Sequence, residues 1–323
     1  MKAVIQHGFG DSHVLQLAEM ETPIISKDEV LIKTAYTSVN YADIKSRKGK
    51  KGKGRFPFTL GLDAAGTVVE AGEFSGFEAG DRVIAFPIGG SYAEYVKANK
   101  QLTFKIPVGL SFEQAAAMPT VSILSYILLH DIGQVKKSDT IVVHSGAGGV
   151  GSMLVQFAKL AGVKTVIATV GNLSKEDYVK RLGADLVCTY DTFSEEVLHL
   201  TNGKGANAVF DSVAGKVTAA SLDCLGLYGT LVQFGNSSGS AGNFKTSDVH
   251  STCRNVKGFS LGTTRKHRPD MLAPAAERVI ELFAAGKVTL PIAKVFDLSD
   301  AKQAHDLIES REYEGKVLIK ASK

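Results

Sequence analysis

A chain of 323 residues with 44% hydrophobic content is long enough to bury two cores of ordinary domain size. Its formal net charge is only +4, which gives no support to a general nucleic-acid or membrane-surface role. No apolar run reaches bilayer length, and Met1-Lys2-Ala3-Val4-Ile5-Gln6 turns polar before a signal-peptide core could form, so a soluble, cytoplasmic protein is expected.

Residues 1–118 alternate short β-like runs with glycine or Asp-Gly type turns, at 3–6, 30–38, 66–70, 82–86 and 93–96, which predicts a compact β-rich unit. One stretch is compositionally odd: Lys48-Gly49-Lys50-Lys51-Gly52-Lys53-Gly54-Arg55. Glycines and like charges suit a solvated, mobile loop; steering of an anionic substrate or cofactor is the sharper alternative. A nucleic-acid tether needs aromatic stacking partners, and only Phe56 and Phe58 are nearby.

From Asp139 the pattern changes to strands and helices in turn, with strands at 140–143, 165–168, 186–189, 208–211, 230–234 and 256–260. Buried runs separated by helical patterns predict a six-stranded, doubly wound parallel sheet made of two mononucleotide-binding halves. At its start Gly146, Gly148 and Gly151 fit G-x-G-x-x-G, directly after the β-branched run 140–143. The helix they open carries apolar residues at Val150, Leu154, Phe157, Ala158 and Ala161. Gly146 is expected to permit the tight turn, Gly148 to let backbone N–H groups approach a pyrophosphate, and Gly151 to let helix and strand pack closely. Gly146, Ala147, Gly148, Gly149, Val150 and Gly151 together form the expected dinucleotide cradle.

An NAD site usually places a carboxylate about 20 residues after the first glycines, at the end of the second strand. Here that end reads Thr169-Val170-Gly171-Asn172-Leu173-Ser174-Lys175, with no carboxylate. Ser174 can donate to a 2′-phosphate and Lys175 can pair with it, so NADP(H) is favoured over NAD(H). In the purely structural alternative, Ser174 caps a helix over 175–182 and Lys175 is solvated.

Beyond the sheet the pattern predicts a long amphipathic helix at 271–285, a β run at 292–298, a helix at 299–310 and a final strand at 316–320, with no internal repeat. Cys188, Cys224 and Cys253 are far apart and odd in number, which argues against a disulfide framework. None of the eight histidines pairs with another at ligand spacing, and His144, beside the glycine turn, reads as a satisfied polar residue at a strand end.

Taken in order, Ser38-Val39-Asn40-Tyr41-Ala42-Asp43, Leu60-Gly61-Leu62-Asp63-Ala64-Ala65-Gly66, Gly80-Asp81-Arg82-Val83, Ser91-Tyr92-Ala93-Glu94-Tyr95 and the run from His144 to Gly151 resemble the zinc-independent quinone oxidoreductase (zeta-crystallin-like) branch of the medium-chain dehydrogenase/reductase superfamily. The resemblance covers essentially the whole chain. It implies a GroES-like β-barrel domain from 1–118 and 263–323, with a Rossmann-like domain inserted at 119–262. Zinc relatives carry a Cys near the position of Asn40 and Gly-His-Glu where this chain has Gly61-Leu62-Asp63, so no thiolate or imidazole is available to hold Zn²⁺. Oxidation of an unactivated alcohol then lacks a Lewis acid, whereas reduction of a quinone or an α,β-unsaturated carbonyl does not require one.

The resemblance further implies that Asn40 and Tyr41 line the active-site cleft and hydrogen-bond a developing enolate or hydroquinone oxygen, while Asp43 serves as a helix-start residue. It places Tyr190 near the adenosine phosphate, Phe234 and Gly235 beneath the nicotinamide ribose, Phe259 and Leu261 along the segment that meets the carboxamide, and Asn40 and Lys316 near the cofactor. Many relatives have Thr-Ala-Tyr where this chain has Leu124-Ser125-Tyr126, which removes a hydroxyl contact to the cofactor. A homodimer is expected, because the sixth strand is an open sheet edge that the family pairs across subunits. Two rival functions have some support. Gly235-Asn236-Ser237-Ser238-Gly239 fits a hydrolase nucleophile elbow but runs on into loop-like residues, and the stretch 48–55 is the sole support for an NADPH sensor or RNA-binding protein without turnover.

Overall fold

The computed structural model describes residues 1–51 and 55–322. Its strands are β1 (Lys2–Gln6), β2 (Gln16–Glu19), β3 (Glu29–Ser38), β4 (Phe58–Thr59), β5 (Ala64–Ala71), β6 (Arg82–Ala85), β7 (Tyr95–Asn99) and β8 (Thr103–Lys105). They continue as β9 (Thr140–Val143), β10 (Thr165–Val170), β11 (Leu186–Thr189), β12 (Ala206–Asp211), β13 (Leu225–Gln233), β14 (Asn255–Gly258), β15 (Ile292–Asp297) and β16 (Lys316–Lys320). The helices are α1 (Tyr41–Arg47), α2 (Phe112–Ala117), α3 (Leu124–Ile127), α4 (Gly149–Leu160), α5 (Glu176–Arg181) and α6 (Phe193–Leu200). They end with α7 (Lys216–Asp223), α8 (Thr246–His250), α9 (Leu261–His267), α10 (Ala273–Ala284) and α11 (Ala301–Ser310). Two compact units result, one formed by Met1–Ile123 with Thr264–Lys323 and the other by Leu124–Thr263. No helix among the described residues is long and apolar enough to cross a membrane.

The first unit is organised by β3, whose ten residues are long enough to pair with β5 along one edge and with β7 and β16 in succession along the other. The sheet runs β15-β16-β3-β5-β6-β8, with a smaller sheet β2-β1-β4 beside it. Alternation along the strands sends Val30, Ile32, Val68, Val83 and Val96 into one cluster. Val39, Ile44 of α1, Tyr92, Val317, Ile319 and the Ala301, Ala304, Ile308 face of α11 fill another. The register pairs Ser38 with Leu318, Thr37 with Ala64 and Ala64 with Ala85. The end of β3, the entry to β5, the exit of β6 and the start of β16 are therefore gathered at one end of the sheet.

The second unit holds a six-stranded parallel sheet in the order β11-β10-β9-β12-β13-β14. Numbered from its own first strand, that order is 3-2-1-4-5-6, the doubly wound arrangement in which ligands bind outside the carboxyl ends of the strands where the order reverses, here between β9 and β12. The near-continuous burial of β9, β10 and β12 agrees with a sheet covered on both faces.

Several boundaries move from their predicted places. The run at 93–96 shifts to β7, because Ala93 makes only an isolated bridge to Ala3 and pairing with β3 begins at Tyr95. The sixth strand ends at Gly258 and Leu261 opens α9, so the segment expected at the sixth strand's end turns helical. Short 3₁₀ turns at Pro269–Met271 and Leu298–Asp300 take the first residues expected in the two C-terminal helices.

Candidate functional site

The glycine turn follows β9 and leads into α4. Its left-handed residue is Ser145, at φ 58°. Ser145 is held there by three contacts from two residues: its N–H donates to Tyr190 Oη at 3.1 Å, its Oγ lies 3.0 Å from the same oxygen, and Ser212 Oγ donates to its Oγ at 3.1 Å. Gly146 is required for a different reason, since a Cβ there would lie 2.8 Å from the Ala168 Cβ on β10. At Gly151 a Cβ would fall 2.1 Å from the Ser145 carbonyl oxygen, so this position does serve close helix–strand packing.

Gly148 differs from both. It is the N-cap of α4, no side chain caps the helix, and a Cβ would touch only Ser145. Ala147, Gly149 and Val150 complete the turn with half-buried backbone. The first N–H groups of a helix have no intrahelical partners and carry the positive end of its dipole, so this end can receive an anion. Ser125 Oγ donates to the Val150 carbonyl at 2.8 Å.

At the end of β10, Asn172 caps a 3₁₀ turn, Leu173–Lys175, by accepting from Ser174 N–H at 2.9 Å. Ser174 is thus exposed on the turn and is not the cap of α5, which corrects the structural alternative. The next acidic residue, Glu176, lies inside α5 and is paired with Lys180. Tyr190 follows β11, Phe234 and Gly235 follow β13, and Phe259 follows β14, its N–H donating to the Gln233 carbonyl at 3.0 Å. A Cβ on Gly235 would approach the Ser212 carbonyl at 2.8 Å. The carboxyl edge of one sheet therefore collects every expected contact of this unit except Leu261, which is buried at the start of α9.

His144 is fully buried, with Thr169 Oγ1 2.9 Å from Nδ1 and Ser221 Oγ 2.8 Å from Nε2. Ser221 spends its hydrogen on the Val217 carbonyl, so Nε2–H donates to Ser221 and Nδ1 accepts from Thr169. Burial, opposed by the Asp211 charge, lowers the imidazole pKa to about 4. Sequence and structure agree that this histidine is a satisfied core residue. The residues 234–245 form no helix, so Gly235-Asn236-Ser237-Ser238-Gly239 is not a nucleophile elbow.

In the first unit Asn40 is the N-cap of α1, and its backbone N–H donates to Asp43 Oδ2 at 2.8 Å. Its amide is committed within the fold. Nδ2 donates to Asp63 Oδ2 at 2.8 Å, and Oδ1 accepts from Lys316 Nζ at 2.8 Å. Lys316 is itself buried and also donates to the Val39 carbonyl. Tyr41, the first residue of the helix, is exposed. Asp63, to which the sequence assigned no role of its own, accepts from Ser38 Oγ, Asn40 Nδ2, Thr120 N–H and Thr120 Oγ1.

Asp43 continues inward as the end of a directed hydrogen-bond chain. Arg47 Nη1 donates to His305 Nδ1 at 3.2 Å, which leaves the proton on Nε2 to be donated to Tyr92 Oη at 3.0 Å; Tyr92 then donates to Asp43 Oδ2 at 3.2 Å. At its outer end Arg47 and Lys48 both pair with Glu309. Burial, helped by the Asp63 charge and opposed by Asn40 N–H and Lys316, raises the Asp43 pKa to about 7. Burial and the Arg47 charge lower His305 to about 3, so it is neutral. His305 was readable only as a polar residue on the apolar face of an amphipathic helix, between Ala301, Ala304 and Ile308. Of the basic stretch, Lys48 is an ion-pair member, while residues 52–54 lie outside the described residues.

Residues 149–278 match the family described as zinc-binding dehydrogenase, and residues 26–108 match the alcohol dehydrogenase GroES-like domain. The residues at the zinc position do not fit the metal: Asn40 and Leu62 offer no thiolate or imidazole, and both oxygens of Asp63 are taken up by hydrogen bonds. Among the described residues no cluster of three or more His, Cys, Asp or Glu side chains could hold a metal ion. A protein named probable quinone oxidoreductase from Schizosaccharomyces pombe is 34% identical over 313 residues, covering 96% of this chain and 94% of that one. Quinone oxidoreductase 1 of Escherichia coli (strain K12) is 31% identical over 325 residues, covering 97% of each. The crystal structure of Escherichia coli quinone oxidoreductase complexed with NADPH superposes with a TM-score of 0.92 at 30% identity, covering 99% of each chain. The chain belongs to the quinone oxidoreductase family of the medium-chain dehydrogenase/reductase superfamily.

Proposed function

We propose that this protein is an NADPH-dependent oxidoreductase that reduces a quinone or another α,β-unsaturated carbonyl. The observation that carries the reading is the uncapped start of α4 behind the glycine turn, where Gly148 is exposed, on a carboxyl sheet edge whose second strand ends in Ser174 and Lys175 without a carboxylate. The NADPH complex of the Escherichia coli relative supports the same cofactor. When bound, NADPH would supply a hydride; the N–H groups at the start of α4 would hold its pyrophosphate, those of Gly146 and Gly148 being already bonded to the Thr169 and Ser145 carbonyls, and Ser174 and Lys175 would hold its 2′-phosphate. Tyr190 acts by holding Ser145 in its left-handed turn, and Phe234, Gly235 and Phe259 supply backbone and ring surface further along the same edge.

In the first unit the committed Asn40 amide orients the start of α1, and the exposed Tyr41 phenol is left to hydrogen-bond the acceptor oxygen as charge develops on it. Lys316 acts through Asn40. Asp43, with a pKa near neutrality and a hydrogen-bond chain behind it, holds a proton close to the same helix start. The protein assembles as a homodimer through β14, whose Asn255 and Val256 are exposed at the margin of its sheet. The decisive experiment is steady-state NADPH oxidation with a panel of benzoquinones, naphthoquinones and enones, alongside NADPH titration by fluorescence. Turnover with conjugated acceptors and preference for NADPH over NADH is the expected result; tight NADPH binding with no turnover on the whole panel refutes the enzyme. Light scattering of the purified protein tests the dimer.

A further inference from the structure

Arg265, on α9, lies with its guanidinium 4.9 Å from the centroid of the Phe86 ring, and Phe86 is a core residue directly beyond β6. The guanidinium is therefore laid against the same end of the sheet that carries Asn40, Asp63 and Lys316. Other arginines of this unit are spent on the fold: Arg47 on Gly10, His305 and Glu309, and Arg82 on the Leu110 carbonyl. Arg265 makes no hydrogen bond or ion pair with any described residue, although it is half-buried and presents five donors. Its ionised form is disfavoured by burial and supported at longer range by Asp63 and Asp43.

The local charges do not balance. Arg265, Lys316 and Lys51 all act on Asp43 or Asp63, and Lys51 also feels Arg265. Three cations face two carboxylates, so the cluster is positive even with both carboxylates ionised, and more so when Asp43 is protonated. A half-buried guanidinium with unspent donors, stacked on an aromatic ring in a positive cluster, is suited to a planar anion.

We propose that Arg265 recognises an anionic substituent, a carboxylate or sulfonate, on the conjugated carbonyl compound that this protein reduces. The assignment rests on the oxidoreductase reading above and narrows its substrate class to acidic acceptors. The planar fork takes the anion in a bidentate contact, Phe86 backs the guanidinium, and the conjugated ring is left toward Tyr41. Neutral quinones would be reduced without this contact.

The test compares a neutral naphthoquinone with its ring-sulfonated counterpart in wild type, Arg265→Gln and Arg265→Lys. In Arg265→Gln, kcat/KM should fall about 10- to 100-fold for the sulfonated quinone and no more than about 2-fold for the neutral one, with partial recovery in Arg265→Lys. Calorimetric binding of naphthalene sulfonate, which cannot be reduced, should be measurable in wild type and lost in Arg265→Gln. Equal losses for both quinones, or a raised KM for NADPH with an unchanged ratio between the quinones, overturns the assignment. If wild type reduces neither quinone, the oxidoreductase reading fails. The sulfonate titration then decides Arg265 alone: binding lost in the variant upholds the anion site, and binding unchanged or absent in wild type removes it.

Discussion

Lys316 Nζ donates to Asn40 Oδ1 at 2.8 Å, and because an ammonium group can only donate, this contact fixes which way the Asn40 amide faces. Nδ2 must then point at Asp63, as it does. A strand-start lysine and a helix-cap asparagine, 276 residues apart, thereby set one another's orientation.

Replacing Lys316 with Met should be costly, because it leaves Asp43 and Asp63 buried without the cation that faces both. Losing one partner of a buried charge cluster typically costs about 3 kcal/mol or more. Urea denaturation should show a lowered midpoint, and Lys316→Met combined with Asp63→Asn should recover part of the loss. A midpoint equal to wild type contradicts this account of the cluster.

Asp43 makes stability depend on pH in an unusual direction. Its folded pKa is raised to about 7, above the ordinary 3.8, so between those values the folded state binds more protons than the unfolded one. Stability from this group is complete below about pH 4 and is lost as pH rises through about 7. Asp43→Asn keeps an oxygen to accept from Tyr92 and Asn40 N–H but cannot titrate. The stability of the variant relative to wild type should rise between pH 5 and pH 8, by at most about 1.4 kcal/mol per pH unit. A pH-independent difference in chemical denaturation would contradict it.

His144 and His305 act with the opposite sign. Both have folded pKa values lowered, to about 4 and about 3, so below pH 6.5 the unfolded chain takes up protons that the folded one refuses. Their stabilisation is complete above about pH 6.5 and is lost as pH falls toward the folded values. His144→Gln, which can still bond Thr169 and Ser221, should flatten the acid limb of the stability profile even where it lowers the plateau. An unchanged acid slope in thermal melts counts against the neutral assignment.

The glycines of the turn should separate by mechanism. Gly151→Ala drives a methyl group into the Ser145 carbonyl, where only backbone can move, and should cost at least about 3 kcal/mol of stability. Gly148→Ala should cost less, about 1 kcal/mol, since its Cβ meets the Ser145 carbonyl oxygen at 3.2 Å and not 2.1 Å, yet weaken NADPH binding through the methyl group added at the proposed pyrophosphate site. Melting temperature and NADPH titration on the two variants distinguish the outcomes.

Lys175→Glu should raise KM for NADPH by roughly 10-fold or more and leave that for NADH nearly unchanged, since only the former carries the 2′-phosphate. Equal effects on the two cofactors would remove the NADPH preference assigned to this turn.

The second unit was the more legible in sequence. Its inner strands are buried on both faces and read as apolar runs, and G-x-G-x-x-G fixes where the first of them ends, so the sheet and its glycine-turn edge follow from local pattern. What escaped was the division of labour inside the turn: nothing local says that Ser145 rather than Gly146 takes the left-handed conformation, because that depends on Tyr190 and Ser212 from distant strands. The first unit hid more. Asn40, Tyr41 and Lys316 were found through the family resemblance, but Asp63, Tyr92 and His305 join them through contacts spanning up to 213 residues, which periodicity does not record. Arg265 had no signal at all, since an arginine in a polar stretch looks the same whether it is solvated or laid on a ring.

The position of β16 has a consequence for how this polypeptide matures on the ribosome. β16 sits between β15 and β3, so the first sheet stays open along part of β3 until almost the last residues have been synthesised. The contiguous unit Leu124–Thr263 has no such dependence and can complete its fold earlier. Nascent chains halted before residue 316 would carry a finished second unit alongside a first unit that lacks both an interior strand and its buried ammonium.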